Sequence, residues 1–244
     1  MIGAGFIGCE VAASFRNLGI DVVLVEPQPT PLASVLGETV GSLISRLHRS
    51  EGVDLRTGIG VTELVGDDHV TSVVLSDGTS VEADVVVIGI GSLPAVEWLT
   101  SSTVEVGNGV LADEVGRTSE PDIFTIGDVS AWRVDGGPNR VEHWSNVGDQ
   151  VRTMVPAMLE IDAKPVLPPV AYFWSDQYKL KIQALGTPSA RDVVHLIEDD
   201  GRKFLVYYER DGKLSAVVGG GKAGAVLRSR AAVAEGRPIA DMLA

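Results

Sequence analysis

The chain has 244 residues and carries 33 acidic against 20 basic side chains, a formal net charge of −13. A surface this negative repels phosphate backbones and anionic lipid, which disfavours a nucleic-acid or membrane-surface role. Its single cysteine, Cys9, leaves no pair for a disulfide and no Cys/His metal cluster, so no metal is expected and a reducing cytoplasm is the simplest setting.

The first ten residues read MIGAGFIGCE, in which Gly3, Gly5 and Gly8 fit the fingerprint Gly-x-Gly-x-x-Gly. In such a turn the first glycine permits the tight bend, the second lets a pyrophosphate approach the backbone, and the third lets helix and strand pack closely. Ile7, Val11, Phe15 and Leu18 recur at helical spacing, predicting a helix over Gly5–Leu18 that Gly19 stops. DVVLVE (Asp21–Glu26) then reads as a buried parallel strand. Only Met1 and Ile2 stand before the first glycine, so the first strand is expected to be short and to leave apolar edges and backbone donors open at the sheet centre.

A second helix is predicted over Glu38–Arg49, with Val40, Leu43, Ile44 and Leu47 inward. Short strands follow near Val53–Leu55, Gly60–Leu64 and Val70–Leu75, with a hairpin turn at Asp77-Gly78. ADVVVIGIG (Ala83–Gly91) reads as a further buried strand, and its charge and glycines rule it out as a membrane span. No basic segment suggests a signal peptide.

From Ser92 to about Lys164 the rhythm changes, with Gly/Pro-rich turns, a strand at Asp122–Ile126 and a helix around Asn146–Glu160. The proline-rich stretch Ala163–Val170 looks like a boundary. Beyond it KLKIQALG, VVHLIE, KFLVYYER and KLSAVVG are closely spaced strands, the last two joined by Asp211-Gly212, and a helix is expected near Ala223–Glu235. The fold class is therefore α/β, in three segments: a Rossmann-like dinucleotide-binding domain (1–88), a Gly/Pro-rich middle segment (89–164) and a C-terminal α+β domain with an antiparallel sheet (165–244).

Glu26 stands eighteen residues past Gly8 at the end of the second strand, where a carboxylate accepts hydrogen bonds from both adenosine ribose hydroxyls and repels a 2′-phosphate. No arginine follows it, since the sequence runs Glu26-Pro27-Gln28, and NAD is expected over NADP. Glu10 lies in the first turns of the helix, either as favourable charge near the positive helix end or beside the nicotinamide. Phe6, Ile7, Gly89 and Gly91 complete the candidate nucleotide-binding set. In TIGDVS (Thr125–Ser130) a strand running into Gly-Asp lets the Asp128 carboxylate accept from a sugar-alcohol hydroxyl. GGGKAG (Gly219–Gly224) mimics a phosphate loop, but Ala223 stands where magnesium binding needs Ser or Thr.

The ordered set GAGFIGCE, LVEPQ, ADVVVIGIGSLP, TIGDVS, RVEHWSNVGDQ and AYFWSDQYKLKIQALG resembles the FAD/NAD(P)-dependent ferredoxin and rubredoxin reductases. The resemblance implies NADH and FAD as cofactors and a small iron–sulfur protein, a ferredoxin or rubredoxin of an oxygenase system, as partner, and it admits a homodimer. It implies Asp128 on the ribityl chain, His143, Trp144 and Val147 against the flavin, and Trp174 closing the site. The flavin carries the chemistry, so no catalytic acid–base dyad is expected.

That family holds the ADP half of FAD through a glycine fingerprint of its own, and apart from the GGGKAG turn of the C-terminal segment the only Gly-x-Gly-x-x-Gly here belongs to the NAD unit. The expectation is thus a truncated chain that binds FAD poorly by itself. The alternatives are an NADH oxidase or disulfide reductase of the same superfamily, and a non-catalytic NADH-binding remnant.

Overall fold

The structure, a computed structural model, describes residues 1–134, 137–161 and 170–244. The chain divides into two compact units, one formed by Met1–Gly91 with Trp174–Ala244 and the other by Ser92–Phe173.

The first unit begins with the helix α1 (Phe6–Asn17), the strand β1 (Val23–Glu26), the helix α2 (Ala33–Ser50) and the strand β2 (Asp54–Thr57). β1 and β2 pair in parallel, from Val23 opposite Asp54 to Glu26 opposite Thr57. Met1–Gly3 lies on the other side of β1 and is bridged in parallel through Ile2 to both Val25 and Ile88. β3 (Val61–Val65), β4 (Ser72–Leu75) and β5 (Ser80–Glu82) form a separate antiparallel sheet whose hairpin turns at Gly78, φ 83°.

The helix predicted from the apolar spacing forms as α1, but the spacing does not mark its buried face, and one predicted strand does not form. α1 buries Gly8, Cys9, Ala12 and Ala13, while Ile7 and Leu18 are 70% and 74% exposed. A helix set hard against a strand loop presents its small residues to the contact, and Ile7 and Leu18 at the ends of the bulky row turn outward while Val11 and Phe15 are half-buried. Ala83–Gly91 is not a buried strand: it makes one bridge, at Ile88, and Val85 is 70% exposed. Its ladder partner among the described residues is Met1–Gly3 alone, too short to extend the pairing.

The second unit holds β6 (Val106–Gly107), β7 (Gly109–Ala112), β8 (Ser130–Val134) and β9 (Gly137–Arg140) as a four-stranded sheet, followed by α3 (Trp144–Met158). The strand expected at Asp122–Ile126 reduces to one bridge between Arg117 and Phe124, because Asp122 takes a left-handed φ of 62° and breaks the extended run. The boundary expected at Ala163–Val170 falls, Val170 apart, outside the described residues.

The chain then enters a five-stranded antiparallel sheet in the order β10-β11-β14-β13-β12, made of β10 (Tyr172–Gln177), β11 (Leu180–Gly186), β12 (Val193–Asp199), β13 (Phe204–Arg210) and β14 (Lys213–Gly220). Asp211 and Gly212, φ 52° and 75°, make the tight turn expected between β13 and β14. The single helix expected over Ala223–Glu235 is two, α4 (Ala223–Arg228) and α5 (Arg230–Glu235), broken at Ser229, and α6 (Ile239–Leu243) ends the chain.

α2 carries the packing between the nucleotide fold and this sheet. It starts earlier than Glu38 and is kinked at Gly37, φ 74°. Leu36, Val40 and Ile44 are wholly buried along it, each contributing about 1.5–3 kcal/mol relative to exposure. The Tyr208 hydroxyl donates to the Leu36 carbonyl at 2.7 Å, and Arg46 holds Asp199 through two hydrogen bonds.

Candidate functional site

The three glycines of the first turn are required for three different reasons. Gly3 has φ 91°, and a Cβ there would fall on the Gly89 carbonyl oxygen. A Cβ on Gly8 would fall on the Gly3 carbonyl oxygen, so the third glycine lets the helix sit on the turn. Gly5 has an ordinary extended backbone and nothing within 4 Å of its Cβ position. Its bareness faces outward, into a cleft of about 300 Å³ lined by Gly3, Gly5, Phe6, Glu26, Ser34 and Gly91.

α1 starts at this cleft with no capping side chain and no acidic residue in its first turn. Amide hydrogens and the positive end of the helix dipole therefore favour an anion there. Gly89 packs beneath the turn against Met1, and Gly91, φ 115°, stands at the rim with open space at its Cβ. Ile7, 70% exposed, flanks the same turn.

Glu26 is only 8% exposed. Its Oε2 accepts from the Ala4 amide at 2.7 Å and its Oε1 from the Gln28 amide at 2.9 Å. The carboxylate thus ties the glycine turn to the end of β1. A carboxylate offers about four lone-pair sites, so each oxygen keeps room for one more donor. Pro27 and Gln28 follow, with no cation to meet an added phosphate.

Glu10 faces the C-terminal sheet: its Oε1 accepts from the Asp176 amide on β10 at 3.0 Å. Two residues earlier on that strand is Trp174, 39% exposed, with the Lys181 ammonium 5.5 Å from its ring centroid. Lys181 also pairs with Asp176 at 2.9 Å. Cys9 is wholly buried and donates to the Ala4 carbonyl, and burial pushes its thiol pKa well up, so it is packing and not a nucleophile.

In the second unit, Gly127, φ 78°, turns the chain so that Asp128 is exposed. Gln150 of α3 holds that turn: it accepts from the Gly127 amide at 2.8 Å and donates to Ser130 Oγ at 2.9 Å. Val147, one turn earlier, touches the Gly127 Cβ position. Arg140 donates to the Asp128 carbonyl at 3.2 Å, to the Ser92 carbonyl at 3.4 Å and to Glu142 at 2.5 Å, with its side chain 10% exposed. The Ser92 hydroxyl also donates to Glu142, and these bonds hold that carboxyl below the usual carboxylate range.

His143 stacks on Phe173 with ring centroids 4.8 Å apart, and burial lowers its pKa, so the ring is neutral near pH 7. Trp144, next along, is 84% exposed. Asp128, His143, Trp144 and Val147 therefore lie around one end of α3, whereas Gly3–Glu10 and Glu26 gather in the first unit. Sequence reading passes over Arg140, Gln150 and the Glu10–Asp176 bond. A polar residue at the one buried position of α3, and an arginine two residues before Glu142, are the signals that point to the first two.

Among the described residues no group of His, Cys, Asp and Glu is arranged to hold a metal ion, and no helix is long and apolar enough to cross a membrane.

Residues 1–150 match the pyridine nucleotide-disulphide oxidoreductase family and residues 172–244 the reductase C-terminal family. The chain is 36% identical, over 98% of its length, to the ferredoxin reductase subunit of a 5,5′-dehydrodivanillate O-demethylase from Sphingobium, covering 59% of that protein. It is 33% identical over 98% of its length to terpredoxin reductase from Pseudomonas, again covering 59%. The crystal structure of a ferredoxin reductase from Rhodopseudomonas palustris superposes with a TM-score of 0.88 at 34% identity, over 94% of this chain and 57% of that one. The chain thus spans little more than half the length of the relatives it matches. With its glycine turn, strand-end carboxylate and C-terminal antiparallel sheet, it belongs to the pyridine nucleotide-disulphide oxidoreductase family, in the ferredoxin/rubredoxin reductase group.

Proposed function

We propose that the chain supplies the NADH site and part of the flavin site of an NADH-dependent flavoprotein reductase that passes electrons, by way of FAD, to a ferredoxin or rubredoxin of an oxygenase system. The observation that carries this reading is Glu26, pinned by the Ala4 and Gln28 amides at the mouth of the glycine cleft. A ribose diol brings two hydroxyl donors to its remaining lone pairs. A 2′-phosphate meets a buried carboxylate, with no lysine or arginine among the described residues that line the cleft.

In this reading Gly3, Gly5, Phe6, Ile7, Gly8, Gly89 and Gly91 bed the dinucleotide, and Glu10 stands toward the nicotinamide end. Asp128 accepts from the sugar-alcohol chain, His143, Trp144 and Val147 lie against the flavin, and Trp174 closes its site. FAD, when bound, takes up the hydride and releases single electrons. The protein's part is to orient the two cofactors and keep water away. The residues suit that part, since the turn at Gly5 is bare where a phosphate would approach and Asp128 is exposed beside a neutral His143. The corresponding division is 1–88 for NAD(H), 89–164 for the returning part of the FAD domain and 165–244 for the interface domain.

An iron–sulfur partner is supported by the relatives' names, which include terpredoxin reductase and putidaredoxin reductase, and by a solved complex of the latter with putidaredoxin. Calorimetric titration of NADH and NADPH against the chain and its Glu26→Ala variant tests the nucleotide assignment. NADH is expected to bind tighter than NADPH, with the preference falling at least about tenfold in the variant, the effect of losing one to two hydrogen bonds. Unchanged NADH affinity in Glu26→Ala overturns it.

A further inference from the structure

β10 stands at one edge of the five-stranded sheet, with β11 as its neighbour in strand order. Its residues alternate: Phe173, Ser175 and Gln177 are buried, while Trp174 and Asp176 lie on the outward face. A slip of one residue would turn every side chain of the strand to the other face. Apolar burial guards only weakly against that slip. Two of the three inward side chains, Ser175 and Gln177, are polar, and one of the outward ones is a tryptophan.

The inward polar groups are held instead by one side chain in the last turn of α2. His48 is wholly buried. Its Nε2 donates to the Gln177 side-chain oxygen at 3.1 Å, and its Nδ1 accepts from the Tyr178 hydroxyl at 2.7 Å. The Tyr178 and His48 rings meet edge to face with centroids 5.4 Å apart. The Gln177 amide nitrogen goes on to Ser175 Oγ, so one imidazole serves both inward polar residues of β10 and the turn that ends it. Tyr178 takes a left-handed φ of 58°, which fixes where the strand stops.

The outward face depends on this register. It pairs the Asp176 carboxylate with Lys181, brings the Lys181 ammonium over the Trp174 ring and offers the Asp176 amide to Glu10. Shifted by one residue, Gln177 points outward and the Asp176 carboxylate is buried in its place, away from Lys181.

We propose that His48 is a positioning residue for Trp174: through Gln177 and Tyr178 it locks β10 in the register that sets the indole outward beside Lys181. What the indole is held for rests on the reading that Trp174 closes the flavin site.

The test labels the four tryptophans of the full chain with fluorotryptophan and follows the fluorine NMR line of Trp174, identified by its loss in Trp174→Phe. Neither flavin nor nucleotide is present, so the outcome is independent of the flavin reading, which the FAD affinity of Trp174→Phe tests separately. His48→Leu is expected to displace or split the Trp174 line while the lines of Trp98, Trp132 and Trp144 stay in place. His48→Gln, whose amide can donate to Gln177 in place of Nε2, is expected to restore a single line near the parent position. Val40→Ala, a buried apolar truncation on the same helix, lowers the melting temperature and leaves the Trp174 line where it was. A Trp174 line unmoved in His48→Leu overturns the proposal, as does an equal displacement by Val40→Ala. Equal displacement by the Leu and Gln variants overturns the hydrogen-bonded basis of the lock. Should His48→Leu fail to fold, Gln177→Met, which keeps the length of the side chain and removes the acceptor, is read in the same way: a displaced line supports the proposal and an unmoved line overturns it.

Discussion

The Tyr178 hydroxyl donates to Nδ1 of His48 at 2.7 Å, joining the turn after β10 to the buried face of α2. On the other side of the ring Nε2 meets the Gln177 side-chain oxygen at 3.1 Å, and the Gln177 amide nitrogen is engaged with Ser175 Oγ at 3.2 Å. The Gln177 oxygen can only accept, so Nε2 carries the proton and the imidazole is neutral.

His48 is wholly buried, and burial lowers its pKa from 6.5 to about 4. The unfolded chain takes up a proton through pH 6.5 that the fold refuses until about pH 4. The stability linked to this ring is therefore complete above pH 6.5 and is lost as pH falls toward 4, by at most about 3 kcal/mol. His48→Asn, which cannot titrate, is expected to be less stable than the parent at pH 7.5 and to lose less on going to pH 4.5. Urea unfolding at the two pH values checks this, and equal losses in both proteins refute it.

Gly5 and Gly8 separate function from folding. Alanine at Gly8 drives its Cβ into the Gly3 carbonyl and must displace α1, so both thermal stability and NADH binding are expected to fall. Alanine at Gly5 meets open space on an ordinary backbone. Gly5→Ala should therefore unfold within about 0.5 kcal/mol of the parent, yet weaken NADH at least about tenfold if the pyrophosphate lies against this turn. Intact NADH affinity in Gly5→Ala removes the pyrophosphate from that place.

What the sequence discloses is chemistry that is local to the chain. Gly3, Gly8 and the turns at Asp77-Gly78 and Asp211-Gly212 are legible because their backbone angles or close approaches exclude other residues. The spacing of Glu26 is legible for the same reason, but its bonds to Ala4 and Gln28 depend on how three segments meet. α1 misleads because its row of bulky apolar residues suggests a buried face that its small residues in fact supply. Ala83–Gly91 misleads because composition reports the tendency to be a strand, while pairing also needs a neighbour of matching length. Arg140, Gln150 and the His48 cluster join residues distant in sequence, and no periodicity encodes them.

Arg140 fixes three loops at once, through Asp128, Ser92 and Glu142, and among the described residues its Nε is buried without a partner. Arg140→Met is expected to cost about 2–3 kcal/mol, because it strips donors from two carbonyls and one carboxylate while adding apolar packing. Gln150→Leu leaves the Gly127 amide and Ser130 Oγ without their side-chain partner and is expected to cost about 1–3 kcal/mol. Hydrogen exchange places both effects. Faster exchange around Gly127–Ser130 supports the assignment, and unfolding unchanged from the parent counts against it.

Glu10 has two readings that one pair of variants separates. Its bond to the Asp176 amide makes it a tether between α1 and the strand carrying Trp174, and a tether needs only an acceptor. Glu10→Gln keeps a carbonyl oxygen at that place, so it should retain slow exchange of the Asp176 amide, while Glu10→Ala should speed it by about tenfold. A role at the nicotinamide depends instead on the carboxylate charge, and NADH affinity should then fall in both variants. If both variants leave NADH affinity unchanged while only Glu10→Ala frees the Asp176 amide, Glu10 is a tether and the nicotinamide reading is refuted. If Asp176 exchanges at the parent rate in Glu10→Ala, the tether is refuted.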